Sequence, residues 1–339
     1  MKGYNVAVIG ATGAVGEALL DILEERQFPI NEFFPIASER SAGQTLDFNK
    51  KSYYIENISC FDFSKTDIAF FTAGSDVSNK YVPIATGSGC VVIDNTAAFR
   101  LDPETPLIIP EVNPHKIADY DNKNRIANPN CSTIQLLVAL NTLHQAAGLK
   151  KIIVSTYQSV SGKGRRAIHE LSHQTIELLN GRNVKPELFS KQIAFNVIPH
   201  IDEFDDNGFT QEEMKIVSES HKILESNQIA INATCVRVPV FYGHAESVYI
   251  ETEKKLTTET ARKLLMKAPG VKLMDNPKKN SYPCPLNEGS GTDNVLVGRI
   301  REDLSHSNSL NLWIVADNIR KGAALNSVQI AEILVKNYL

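Results

Sequence analysis

The chain is short of the features that mark secreted, membrane or nucleic-acid-binding proteins. No stretch of its 339 residues approaches the roughly 20 consecutive apolar positions that a membrane-spanning helix needs. The opening MKGYNVAVIG runs directly into a strand-like segment, without the apolar core of a secretory signal. Cysteine is sparse and scattered: Cys60, Cys90, Cys131, Cys235 and Cys284 form no CxxC pair, which argues against a disulfide framework and against a thiolate zinc site. Basic charge is not in excess either. With 35 Lys and Arg against 39 Asp and Glu the formal charge is −4, so no broad positive field is offered to nucleic acid. A soluble cytoplasmic protein is expected, and any anion it handles must be met by a few placed cations. The length is that of two domains of about 100 to 200 residues each.

What is present begins with an α/β signature. Tyr4 to Ile9 is rich in β-branched residues; glycines then fall at Gly10, Gly13 and Gly16, and a segment of helical period follows. In a strand, glycine turn and helix of this kind, backbone can approach a pyrophosphate at a helix N-terminus. The spacing is GxxGxxG and not the commoner GxGxxG, and such a turn also serves purely structural ends. After the next apolar run come Ser38, Glu39, Arg40 and Ser41. Arg40 flanked by two hydroxyls suits the 2′-phosphate of NADP, while Glu39 would suit a ribose hydroxyl of NAD. NADP is favoured, with dual use open. Residues 67–74 and 90–96 read as further buried parallel strands, whose C-terminal ends are ligand edges. Asn95 and Arg100 fall there, Arg100 being equally readable as a solvated loop cation.

The middle of the chain holds the candidate chemistry. In ANPNCSTIQLL the proline forces a turn or extended segment, and the residues after it read as a helix with Asn130 or Ser132 as candidate N-cap. Cys131 therefore lies at or just before a helix N-terminus, where the dipole favours a thiolate and the free N–H groups favour an oxyanion. A buried core thiol is the competing reading. Gln158 ends a strand before the Ser161-Gly162 turn. Residues 210–225 read as a helix with Glu212 and Lys215 three apart on one face, as a solvated ion pair would also be. Arg237 stands inside an apolar strand and needs a partner or ligand, and His244 follows just beyond. His169-Glu170-Leu171-Ser172-His173 is an HExxH pattern, which on a helix is a zinc-hydrolase motif and otherwise a pair of surface histidines.

Taken together, VAVIGATGAVGE, ASERSAG, VVIDNTAAFR, PEVN, NPNCSTIQ, STYQSVSG, AFNVIPHID, EEMK, ATCVRVPV with GHAES, and VGRIRED resemble the aspartate-β-semialdehyde dehydrogenase family over nearly the whole chain. The resemblance implies NADPH-dependent reductive dephosphorylation of 4-phospho-L-aspartate to L-aspartate 4-semialdehyde through a cysteine thioester, in the biosynthesis of lysine, diaminopimelate, threonine and methionine. It makes Cys131 the acylated nucleophile, His244 the acid/base and Gln158 the residue that orients substrate. Arg237 becomes the clamp on the α-carboxylate, with Glu212 facing the ammonium, and Arg100, Asn130 and Lys215 the phosphate site. Thr12, Gly13, Ala14, Val15, Arg40, Ser41, Ser161, Gly162 and Asn318 become cofactor contacts, beside Gly10 and Ser38 from the glycine turn and the second strand.

The implied architecture is a Rossmann-like NADP-binding domain at 1–128, completed by a C-terminal helix at about 319–339, and an α+β catalytic and dimerisation domain at 129–318. Small-molecule substrate, phosphate and a second copy of the chain are the expected partners, with no metal, nucleic acid or membrane. HELSH is not part of the family pattern. The nearest rival is an N-acetyl-γ-glutamyl-phosphate reductase, in which Glu212 would have no ammonium to face. A nucleotide-binding module without catalysis is the rival outside the enzymes.

Overall fold

The computed structural model describes residues 2–339 and divides into two compact units, one running to Asn130 and taking in Ala323–Leu339, the other Cys131–Gly322. In the first unit β1 (Tyr4–Ile9) leads through the glycine turn into α1 (Ala14–Glu25) and β2 (Ile30–Ala37). A small hairpin, β3 (Thr45–Phe48) and β4 (Lys51–Tyr54), precedes β5 (Glu56–Asn57), β6 (Ile68–Phe71), α2 (Ser75–Gly87), β7 (Val91–Asp94) and β8 (Arg125–Ala127). The sheet order is β5-β2-β1-β6-β7-β8 and every pairing is parallel.

The apolar runs explain that choice. Ile68–Phe71 and Val91–Asp94 are buried at every position, as strands covered on both faces must be. Successive residues of β1 feed two separate cores: Val6 and Val8 pack with α1 and the C-terminal helix, Ala7 and Ile9 with α2. The C-terminal helix returns to this unit because its apolar face, Leu325, Val328, Ala331 and Leu334, completes the first of those cores. Arg26 seals it with a two-pronged pair to Glu332 at 2.7 Å. The strand order reverses at β1 and β6, which puts the glycine turn at the switch point where such sheets take ligands.

In the second unit α3 (Cys131–Ala147) leads to β9 (Leu149–Gln158), α4 (Arg165–Leu179), α5 (Gln211–Ile223), β10 (Ala230–Arg237), β11 (His244–Thr252), α6 (Thr258–Leu265), β12 (Val271–Leu273), β13 (Val295–Glu302) and β14 (Ser309–Ala316); α7 is the C-terminal helix, Leu325–Asn337. The mixed sheet runs β10-β9-β11-β14-β13-β12. One face is packed by α3, α5 and α6. On the other, Ile153 and Tyr157 are exposed beside Trp313, whose ring lies 5.4 Å from that of Tyr157.

The head of α3 is firmly placed. Ile134, Leu136, Leu137, Leu140 and Leu143 are fully buried, each worth roughly 1.5–3 kcal/mol of burial free energy. α5 starts with a capping box in which the Thr210 side chain and Glu213 satisfy each other's backbone N–H groups, as its sequence TQEE suggests. Among the described residues no helix is long and apolar enough to cross a membrane.

Candidate active site

In the first unit Gly10 has φ of +86°, and a Cβ there would lie 2.7 Å from the Thr72 hydroxyl, so both conformation and space require glycine. Gly13 caps α1 with an extended backbone and no side-chain hydrogen bond. The first-turn N–H groups after it, at Ala14 and Val15, have no carbonyl of their own helix to bond, and a pyrophosphate fits that position. Ser38 and Arg40 are exposed in the turn after β2, next to β1, with Ser41 half-buried. A 2′-phosphate beyond the glycine turn would fall to these side chains. Arg100 is buried and held by carbonyls: Nε donates to Asn128 and Nη2 to Asn95, both at 2.9 Å. Asn130, also buried, is the last residue of this unit.

The helix begins at Cys131 itself, so Asn130 precedes its first residue and Ser132 lies inside it and is not the cap. Cys131 is partly exposed, unlike Cys90 and Cys235, whose burial pushes their thiols up. That difference separates the candidate nucleophile from core thiols. A Cβ added at Gly322 would stand 2.9 Å from the Cβ of Cys131, so the backbone approaches the sulfur's base as closely as glycine permits.

The C-terminal ends of β9 and β10 and the start of β11 meet at one edge of the mixed sheet, which places Gln158, Arg237 and His244 together. Arg237 Nη1 donates to the Ser159 carbonyl at 2.8 Å. Burial lowers the pKa of its guanidinium, and Glu212, Cys131 and Asp202 act to restore it. His244 Nε2 and Arg237 Nη1 both border Gly162, where a Cβ would meet them at 3.3 and 3.0 Å.

His244 is fully buried. Its Nδ1 accepts from the Ser159 N–H at 3.0 Å, which leaves Nε2 to carry the proton of the neutral ring. Burial first, and the Arg237 charge second, lower its pKa to about 3. That is far below the ordinary imidazole value of about 6.5. The Ser159 hydroxyl, 3.0 Å from the same Nδ1, can accept from the ring once it is protonated. Asn318 ties this corner down: its Oδ1 accepts from Gly243 N–H at 3.0 Å and from the Ser159 and Ser161 hydroxyls at 3.2 Å.

Gln158 is buried between Thr156, which donates to its Oε1 at 3.0 Å, and Glu212, whose Oε1 takes its Nε2 at 3.1 Å. Its amide thus fixes a carboxylate. Lys215 pairs with Glu212 Oε2 at 3.3 Å and with Asp202, so the i,i+3 pair is half-buried and not a solvated face. Asp202 was missed by sequence reasoning although AFNVIPHID contains it; only its position after a strained turn, at φ +63°, marks it. With Gly162, Lys163, His200, Glu203 and Arg237 it lines a cavity of about 250 Å³. Ser159 and Gly322 were likewise missed, for neither has chemistry of its own.

HELSH is accounted for by packing. It lies on α4 with both histidines exposed, and the buried Glu170 carboxylate accepts from the Glu187 and Leu188 N–H groups at 2.9 and 2.8 Å and from Gln174 at 2.8 Å. That glutamate is buried and committed to holding a loop, while the two histidines point to solvent.

A parallel sheet with a pyrophosphate cradle, joined to a unit that sets a half-exposed cysteine among a buried arginine and histidine, defines an NADP-dependent oxidoreductase working at the aldehyde and acyl level. Comparison with known proteins agrees in both halves. Residues 5–120 match the semialdehyde dehydrogenase NAD binding domain and residues 140–321 the semialdehyde dehydrogenase dimerisation domain. The aspartate-semialdehyde dehydrogenase of Shewanella sp. (strain DB6705) is 55% identical over 335 residues, 99% of this chain and 98% of its own. That of Legionella pneumophila is 54% identical over 100% of this chain and 97% of its own. The crystal structure of aspartate semialdehyde dehydrogenase II from Vibrio cholerae covers 100% of both chains at 53% identity with a TM-score of 0.98, and its complex with ASA gives the same TM-score at 52% identity. The chain belongs to the aspartate-semialdehyde dehydrogenase family.

Proposed function

We propose that the chain reduces 4-phospho-L-aspartate to L-aspartate 4-semialdehyde and phosphate, with NADP bound by the first unit and the substrate chemistry carried by the second. The observation that carries the residue assignment is the convergence of Cys131, Arg237 and His244 in one unit, with Glu212 and Asp202 beside them. The substrate carries a carboxylate, an ammonium and a phosphate. Arg237 offers a planar fork to the carboxylate, and Glu212, held by Gln158, offers an acid to the ammonium. Arg100, Asn130 and Lys215 take the phosphate. Because N-acetyl-γ-glutamyl phosphate has no ammonium, the two acids favour the aspartyl substrate.

The sulfur of Cys131 attacks the acyl carbon and the C–O bond to phosphate breaks, giving a thioester and free phosphate. NADPH, when bound, supplies the hydride that takes this acyl group to the aldehyde level. His244 Nε2–H hydrogen-bonds the oxygen of the tetrahedral adduct and, where the ring has gained a second proton, protonates it; as the ring takes that proton back the C=O forms and the C–S bond breaks, releasing aldehyde and the thiolate. The N–H groups at the start of α3 stabilise the charge on that oxygen meanwhile. Gly10, Thr12, Gly13, Ala14 and Val15 would hold the pyrophosphate, and Ser38, Arg40 and Ser41 the 2′-phosphate. Ser161, Gly162 and Asn318 are the further cofactor contacts proposed.

The family's dimerisation domain supports a dimer, and the open sheet face with Ile153, Tyr157 and Trp313 is a surface of the kind a second copy covers. The deciding experiment is NADP reduction on adding aspartate semialdehyde and phosphate. Cys131→Ala should abolish it while NADP binding persists; turnover that survives the substitution refutes the nucleophile, and turnover independent of phosphate refutes the substrate.

A further inference from the structure

One row behind the reacting groups lies a second polar layer that the chemistry above does not use. Cys235, Thr156 and Glu246 stand side by side across β10, β9 and β11, two residues in from Arg237, Gln158 and His244. Gln135 comes to this layer from α3, one helical turn after Cys131. Glu246 and Gln135 are both 0% exposed. Neither carboxylate oxygen of Glu246, nor either amide atom of Gln135, makes a hydrogen bond of ordinary geometry, although the amide is near enough to act on the carboxyl.

We propose that Glu246 and Gln135 form a paired contact that sets the spacing between the nucleophile's helix and the strand that opens with His244, making Glu246 a positioning residue for the reaction. The proposal rests on the assignment of Cys131 and His244 given above.

The surroundings argue for a neutral acid. The titratable groups about this layer are His244 on the same strand, Cys235 on β10, which feels Glu246, Glu212 and Glu213, and Cys131 at the head of α3. Among the described residues no cation acts on Glu246: burial raises its carboxyl well above the usual range and only the Gln135 amide opposes that. A protonated carboxyl and a primary amide are complementary, each offering donor and acceptor. An unmade buried hydrogen bond costs stability that two apolar side chains of the same shape would not. α3 already buries Ile134, Leu136, Leu137, Val138, Leu140 and Leu143, so its packing does not depend on this pair. Local violations of core rules of this sort belong at functional sites.

Glu246→Leu and Gln135→Leu test it. Each should leave the melting temperature unchanged or raised and KM for aspartate semialdehyde within about twofold, yet lower kcat about tenfold or more, because a misplacement well under 1 Å is enough to do so. Glu246→Gln, which keeps shape and donor but cannot ionise, should restore kcat to within about threefold with the parent pH profile. The double leucine variant should be no slower than either single one, since both break the same contact. Wild-type kcat in folded Glu246→Leu overturns the proposal. So does a Glu246→Gln variant as slow as Glu246→Leu, which would make Glu246 an ionising base. Cys131→Ala measured in parallel separates the two levels: if it still turns over, the site assignment has failed, whereas an inactive Cys131→Ala beside a fully active Glu246→Leu sinks only the positioning role.

Discussion

Gly322→Ala is the sharpest probe of how the proposed nucleophile is held, because it adds one methyl group to a residue with no chemistry. The new Cβ would lie 2.9 Å from Cys131 Cβ, about half an ångström short of the 3.4 Å at which ordinary contact begins. The atom it meets is not the loose end of a long side chain. It is the first carbon of a cysteine at the head of a helix whose next turns bury Ile134, Leu136 and Leu137 completely, and the added Cβ would also reach the Asp317 carbonyl and Cys131 Cα at 3.4 Å. Overpacking of this kind costs about 1–3 kcal/mol. Its effect on rate is larger in proportion: where a displacement of 1 Å costs about a hundredfold, half of that predicts a loss of about tenfold in kcat. The phosphate-dependent NADP assay reads kcat and KM, a thermal melt reads stability, and fluorescence titration reads NADP affinity, which should hold within about twofold. A Gly322→Ala enzyme with wild-type kcat would refute the claim that the Gly322 backbone positions Cys131.

The remaining expectations concern pH, the HELSH helix and the cofactor. His244 is held neutral in the fold with its pKa lowered to about 3, whereas the unfolded chain protonates it near 6.5. Stability is therefore lost as pH falls from 6.5 towards 3, by on the order of 4 kcal/mol in all and roughly 2 by pH 5, and His244→Gln should flatten that slope in denaturant titrations. Glu246 acts in the opposite sense, its folded-state proton costing stability as pH rises above the ordinary glutamate range. Glu170→Ala strands the Glu187 and Leu188 N–H groups and should destabilise by about 3 kcal/mol with kcat unchanged; activity that falls with bound zinc would instead favour the hydrolase reading. Arg40→Ala should weaken NADP about tenfold and NAD by less than about twofold, as expected for loss of a charge-assisted bond to one phosphate; equal losses would place Arg40 elsewhere.

The fold was legible where periodicity and turn chemistry agree. Continuous apolar runs at Ile68–Phe71 and Val91–Asp94 implied doubly covered parallel strands, and the NPNC turn implied a helix starting at or just after Cys131, which begins at Cys131 itself. Candidate site residues stood out where a side chain is out of place for its element, as Arg237 is in an apolar strand. What stayed hidden depends on tertiary neighbours. No local pattern says that Gly322 abuts Cys131, that the Ser159 N–H fixes the tautomer of His244, or that Glu170 commits its carboxylate to a loop. The protonation state of His244 was unreadable for the same reason, since it follows from complete burial next to a guanidinium brought there by β10.

That depressed basicity has a consequence for the order of events. An imidazole held near pKa 3 is a poor proton donor, because it is neutral at any pH at which the enzyme works. Of the two causes, burial belongs to the protein but the Arg237 charge can be cancelled. Under the proposed assignment, a substrate carboxylate seated on Arg237 would neutralise the cation that borders Gly162 together with His244. The ring then becomes easier to protonate only while substrate is bound. The Ser159 N–H donates to Nδ1 of the neutral ring, and the Ser159 hydroxyl, which donates to Asn318 Oδ1, offers the charged ring an acceptor at 3.0 Å. Under the proposed assignment, the ion pair formed with the α-carboxylate would remove the smaller of the two causes that keep His244 neutral, linking recognition of the substrate to the proton its reduction needs.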